Sequence, residues 1–165
     1  MSEIDTGMMA HSIQLAVAPV FLLTGIGALL GVIDGRIARV SDDCLPLVAV
    51  QDPLTLAPHS EPEPDLMLLR PRDDFYEGAN PTPADTLLVI EICDSSLRYD
   101  REVKVPLYAA QGVPEVWLVD LQHRRLELYR EASADGYRLM LRPAPGEVVA
   151  PVLLPDVRLR VDELW

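Results

Sequence analysis

Thr86-Leu87-Leu88-Val89-Ile90-Glu91-Ile92-Cys93 is an eight-residue run in which a single carboxylate interrupts nearly continuous apolar side chains. A run this short and this apolar marks a strand covered on both faces, which belongs at the centre of a sheet. A charge inside it needs a partner, a metal or an exit to solvent. Downstream, Asp100 to Gln111 is predicted helical, with Val103, Leu107 and Ala110 on one face and Gly112 placed to end it. Pro106 removes a backbone donor from that helix, so either the helix kinks or its regular part starts near Lys104. Pro114 opens a second apolar strand, Glu115 to Val119, and Asp120 to Arg124 turns the chain into Arg125 to Arg130, whose alternation suits a strand with one wet face. Upstream, Leu47 to Val50 and Asp65 to Leu69 read as short strands around the Pro- and acid-rich loop Asp52 to Pro64, and Phe75 to Asp85 is a connection. Tyr137 to Leu141 and Val148 to Leu154 add strands, and Val161 to Trp165 a short terminal helix. Strand, helix, strand and then a meander predict an α/β fold with a mixed central sheet and flanking helices.

At 165 residues and 49% apolar, the chain is sized for one domain with a real core. Its net charge of -12 lies almost wholly after residue 40, because the first forty residues hold three acids against two arginines. Such a surface repels polyanions, and nucleic-acid binders gain much of their affinity by neutralising phosphates with Lys and Arg, so tight non-specific DNA binding is disfavoured. Cys44 and Cys93 have no metal-ligand or CxxC spacing, which points to a reducing compartment, and His11, His59 and His123 are scattered.

The N-terminal forty residues are a different kind of sequence. Ile13 to Ile33 is twenty-one residues without a charge, about 31 Å if helical at about 1.5 Å per residue, long enough to span a bilayer. Glu3 and Asp5 replace the basic region of a signal peptide. Arg36 and Arg39 at the far end place the rest of the chain on the cytoplasmic side. Gly27, Gly31 and Gly35 have the GxxxG spacing of closely approaching spanning helices. A buried helix or a re-entrant hairpin is the alternative, and Pro19 with three glycines weakens any long soluble helix. The words Pro19-Val-Phe-Leu-Leu-Thr-Gly-Ile-Gly-Ala-Leu-Leu and Arg36-Ile-Ala-Arg39 resemble the first helix of a family of small bacterial membrane proteins, over about residues 12 to 43.

Thirteen of the fourteen basic residues are arginine, and the single lysine, Lys104, follows Glu91 by thirteen positions. If the strands carrying Asp65 and Glu91 are neighbours, the two carboxylates converge at one sheet edge as hard oxygen ligands for Mg²⁺ or Mn²⁺, and the Ile92 carbonyl offers a third. A metal so held polarises a phosphoryl oxygen, and the compact ammonium of Lys104 stabilises developing charge. Asp100, four residues before Lys104, can pair with it. Each residue alone has a plainer role: Asp65 in a turn, Lys104 on a solvated helix face, Ser95 and Ser96 as caps, and Glu115, Trp117 and Asp120 in strand and turn structure.

Taken together, Glu61-Pro-Glu-Pro64-Asp65, Leu88-Val-Ile-Glu91-Ile-Cys-Asp-Ser-Ser, Tyr99-Asp100-Arg-Glu-Val-Lys104-Val-Pro-Leu-Tyr108-Ala and Gly112-Val-Pro-Glu-Val-Trp117-Leu-Val-Asp120 resemble the Uma-two family of restriction-endonuclease-like proteins, in the PD-(D/E)XK nuclease superfamily. The likeness runs from about Leu47 to Trp165. It implies a restriction-endonuclease-like fold over residues 44–165, Asp65 and Glu91 as metal ligands, and Lys104 as the displaced catalytic lysine, the superfamily's lysine position being Cys93 here. It further implies a Mg²⁺- or Mn²⁺-dependent endonuclease acting on DNA, with a homodimer as the assembly suited to a double-strand cutter. Residues 1–43 do not match the family's usual helix-bearing beginning, so the domain is expected to be truncated at its N-terminal side, with a sheet or helix-packing surface left uncovered. The resulting expectation is a cytoplasmic nuclease-like domain anchored to the inner membrane through residues 13–33. The competing expectation is a non-catalytic membrane-tethered or interaction module on a degenerate nuclease fold.

Overall fold

The structure, a computed structural model, describes residues 25–38 and 45–165. Residues 25–37 form a helix, α1. A six-stranded sheet comes next, in the order β1 (Leu47–Val50), β2 (Leu66–Leu69), β3 (Thr86–Cys93), β4 (Glu115–Asp120), β5 (Arg125–Ser133) and β6 (Gly136–Leu141). Neighbouring strands are antiparallel except β3 and β4, which run parallel with Val89 opposite Val116 and Cys93 opposite Asp120. A parallel pair needs a crossover, and the helical segment between them supplies it. The central position expected for the Thr86 run is observed, with all eight residues buried.

Alternation along the strands sorts two cores. Leu88, Ile90 and Ile92 pack with Leu66, Leu68, Trp117, Leu126 and Leu128 on one face, and α1 covers that face through Ile26, Leu29, Ile33 and Ile37. Val89 and Cys93 pack with Met67, Leu69, Val116 and Leu118 on the other, under Val105 and Tyr108 of the crossover. The surface expected to lie uncovered is therefore packed. The apolar character of residues 25–37 resolves into one buried stripe at helical spacing, with Gly27, Ala28, Gly31, Asp34 and Gly35 exposed on the other side. Gly27, Gly31 and Gly35 have nothing within 4 Å of where a Cβ would stand, so the GxxxG spacing mediates no close approach among the described residues. Gly25 does, because a Cβ there would come within 3.0 Å of Leu121 and 3.2 Å of Ile92. No helix among the described residues is long and apolar enough to cross a membrane. The remainder of the expected span, residues 13–24, and Cys44 lie outside the described residues.

The crossover is three joined pieces: α2 (Leu97–Tyr99), a π turn (Asp100–Lys104) and α3 (Val105–Ala110). Pro106 falls in the first turn of α3, where its missing N–H costs little, so the regular helix does start just after Lys104. The buried residues there are Val105, Tyr108 and Ala109, while Val103 is 46% exposed, which corrects the face read from a straight helix. Widening to a π turn takes up an extra residue and rotates the downstream helix by about 100°. Gly112, at φ 81°, closes α3: its N–H donates to the Ala109 carbonyl and that of Val113 to the Tyr108 carbonyl, both at 3.0 Å. Of the strand expected over Val148 to Leu154 only β7 (Val148–Val149) forms, paired with β8 (Leu159–Arg160), because Pro151 has no N–H for a ladder. The expected terminal helix is a 3₁₀ turn, Val161–Leu164.

Candidate active site

Asp65 precedes β2 directly, at the end of the ladder whose last pair is Leu66 with Ile90. Its Oδ2 accepts the Ile92 N–H at 2.7 Å, so the carboxylate bridges from β2 onto β3. Glu91 is 1% exposed and points into the face shared by Val89 and Cys93, under the crossover. Lys104 Nζ donates to Glu91 Oε2 at 2.9 Å, and the Tyr108 hydroxyl donates to Oε1 at 2.7 Å. Asp100 Oδ1 stands 3.5 Å from the same ammonium, the pairing that their spacing suggests. Asp100 Oδ2 accepts Ser96 Oγ at 2.5 Å and Cys93 Sγ at 3.3 Å. Glu91 of β3 and Lys104 of the π turn are thus bonded to one another, and Asp65, just before β2, stands close enough to couple electrostatically with both. Ile92, expected to offer its carbonyl, engages the cluster through its N–H.

Two partners were not assigned a role from sequence. Tyr108 follows Lys104 by four residues, a helical spacing that would have flagged it. Cys93 holds Asp100, a contact with no local sequence signal. Other buried carboxylates are engaged away from the cluster. Glu115 takes the Trp117 Nε1–H at 2.7 Å, the Arg130 Nε–H at 2.8 Å and the Val152 N–H at 2.6 Å. Asp120 takes the His123 N–H at 3.1 Å, closing the β4–β5 turn. Among the described residues no buried side-chain nitrogen or oxygen lacks a partner.

Burial raises the Glu91 carboxyl from 4.5 to about 7, against the Lys104 charge and the two hydrogen bonds that favour its ionised form. Burial also lifts Asp65, opposed by the Ile92 N–H and Lys104 and assisted by the Asp100 charge. Lys104 is pulled down by burial, but Glu91, Asp100 and Asp65 outweigh this and leave it above its ordinary value. Burial and the Glu91 charge push the Tyr108 phenol up, keeping it a donor. Three carboxylates face one ammonium, so the cluster has an unmet demand for positive charge.

Among the described residues no three His, Cys, Asp or Glu side chains form a ready-made metal cage. A carboxylate on β3 and one just before β2 nevertheless suit a hydrated Mg²⁺ or Mn²⁺, because Mg²⁺ commonly keeps several waters and takes one or two carboxylates together with substrate phosphates. Asp65 and Glu91 are the residues that would hold it. The same all-oxygen donor set does not suit a soft thiophilic metal.

The structure is similar to the crystal structure of "a putative nuclease belonging to DUF820 from Anabaena variabilis ATCC 29413", at 18% identity and a TM-score of 0.64, over 86% of this chain and 78% of that one. A likeness at this identity speaks for the fold. No curated protein matches. The family model Uma2, described as "Putative restriction endonuclease", matches residues 26–162. The match takes in α1 and reaches further toward the N-terminus than the sequence words alone. It spans well over half of the chain, and the chain belongs to the Uma2 family.

Proposed function

We propose that this chain is a divalent-metal-dependent endonuclease that hydrolyses DNA phosphodiester bonds at Asp65, Glu91 and Lys104. The observation that carries the reading is the Lys104 ammonium held 2.9 Å from the buried Glu91 carboxylate, with Asp65 near enough to couple to its charge. Mg²⁺ or Mn²⁺, bound by Asp65 and Glu91, would polarise a phosphoryl oxygen and lower the pKa of a bound water. The chain's own part is placement. Tyr108 fixes one oxygen of Glu91, and Asp100 and Glu91 together aim the ammonium. A positive charge set in advance stabilises the extra negative charge of the transition state without reorganising at the moment of reaction. The family's printed description and the nuclease fold of its solved neighbour support the same reaction class.

The test is incubation of the full chain with supercoiled plasmid in Mg²⁺, Mn²⁺ or EDTA, beside Asp65→Ala, Glu91→Ala and Lys104→Ala variants shown to be folded by circular dichroism. Nicking or linearisation is expected only with a divalent ion, slowed in each variant by about 10²-fold or more, the scale of losing one preorganised electrostatic group. Plasmid left intact by the wild type with every ion, or variants as fast as the wild type, would remove the reading.

A further inference from the structure

We infer that Asp100 is a further positioning residue of this site, the one that receives the Lys104 ammonium when a divalent ion engages Glu91. The inference rests on the proposed nuclease site. Both Glu91 oxygens are bonded within the protein, Oε2 to Lys104 Nζ at 2.9 Å and Oε1 to the Tyr108 hydroxyl at 2.7 Å. An ammonium that close and an ion on the same carboxylate are two cations in near contact. Glu91 is 1% exposed, so little solvent screens them, and one has to give way. The lysine is the one with freedom to move, because its four-carbon stem is flexible and its side chain keeps 22% of its surface exposed.

Asp100 is placed to take it. Its Oδ1 stands 3.5 Å from Nζ, whereas a completed ammonium–carboxylate bond closes to about 2.7–2.9 Å. The contact is half made, and a small rotation of the lysine stem completes it. The rest of the Asp100 carboxylate is fixed: Oδ2 accepts Ser96 Oγ at 2.5 Å and Cys93 Sγ at 3.3 Å, which leaves Oδ1 for the ammonium. A lysine resting on Asp100 uses one of its three N–H donors and keeps the others for a phosphate oxygen. This division of labour accounts for three carboxylates around one ammonium. Asp65 and Glu91 serve the ion, and Asp100 serves the lysine.

An Asp100 that only braced the turn would leave Lys104 on Glu91 whether or not an ion is bound. Lys104 is the chain's one lysine, so labelling lysine with ¹⁵N at Nζ gives a single ammonium signal by NMR. In the full chain this signal is followed through a Mg²⁺ titration, with binding read separately by calorimetry, for the wild type, Glu91→Gln and Asp100→Asn. Mg²⁺ is expected to move the wild-type signal toward the position it has in Glu91→Gln without the ion, where Asp100 is the remaining acid paired with the lysine. In Asp100→Asn the signal is expected not to reach that position, and Mg²⁺ to bind about tenfold more weakly, the usual loss when support around a ligand is removed. Should Asp100→Asn not fold, Ser96→Ala at an exposed residue unties Oδ2 without altering a charge and is expected to change both readouts in the same direction. A wild-type signal that stays in place while calorimetry shows the site filled would overturn the inference, as would variants that behave as the wild type. A signal that moves while plasmid stays uncut sinks the nuclease reading alone, and cutting with an unmoved signal sinks this inference alone. If Mg²⁺ does not bind, both fall.

Discussion

Glu91 receives two strong hydrogen bonds and still holds its proton to about pH 7, because burial outweighs them. The folded value exceeds the unfolded 4.5, so between the two the native state binds more protons than the unfolded chain. Stability is then lost as pH rises through that window and loses nothing more above it. The loss attributable to this one carboxyl is at most about 3 kcal/mol. Glu91→Gln should flatten the pH dependence of the metal-free chain in urea denaturation between pH 5 and 8, leaving the wild type relatively less stable at the alkaline end. A wild-type profile that runs parallel to the variant's across this range would mean that Glu91 is ionised throughout. At this scale the residues legible in the sequence were those that broke a local pattern: a charge in an apolar strand, a lone lysine among arginines, an acid after proline. Tyr108 breaks none, since a tyrosine on a helix is ordinary, and only its contact with Glu91 gives it meaning.

The π turn is the element on which the site's geometry depends. Arg101 lies between Asp100 and Lys104 and forks onto buried Glu127 of β5 at 3.0 and 2.9 Å, where the Tyr129 hydroxyl and Arg142 also donate. This tie fastens the turn to β5 three residues before Lys104. Arg101→Ala is expected to lower stability by about 1–3 kcal/mol, the range for a hydrogen bond to a charged group, and to slow cleavage more than it changes KM. Urea melts and steady-state kinetics check this, and unchanged kcat would show the tie to be structural only. Strand positions were largely readable because period-two burial and proline punctuation are local. The helix face was not, because the extra residue of a π turn shifts every later position and leaves no mark in the hydrophobic pattern. Pro106, read as a disturbance, was the nearest clue.

At the scale of the molecule, α1 is a packing element of the sheet. Ile33 is 1% exposed, so Ile33→Ala should cost about 2–4 kcal/mol through the cavity it leaves. Gly31 is exposed beside open space, and Gly31→Ala should instead be neutral or stabilise by up to about 1 kcal/mol. Thermal or urea unfolding of the two variants checks the pair, and a destabilising Gly31→Ala would mean that this face is covered. The uncharged stretch suggested a membrane because hydropathy counts residues without asking which way they face. Once residues 25–37 are sorted by exposure, the same letters describe an amphipathic helix.

The parallel pairing of β3 with β4 has one further consequence. The six strands divide into two antiparallel meanders, β1–β2–β3 and β4–β5–β6. The covalent bridge between them is the segment that bears Lys104. A hairpin joined by a tight turn can fray at one end while the rest stays folded, but this bridge spans the seam of the sheet and packs on it. The lysine thus sits on the hinge-pin of the architecture, so the same fourteen residues, Leu97 to Ala110, join the two halves of the sheet and set where the ammonium stands.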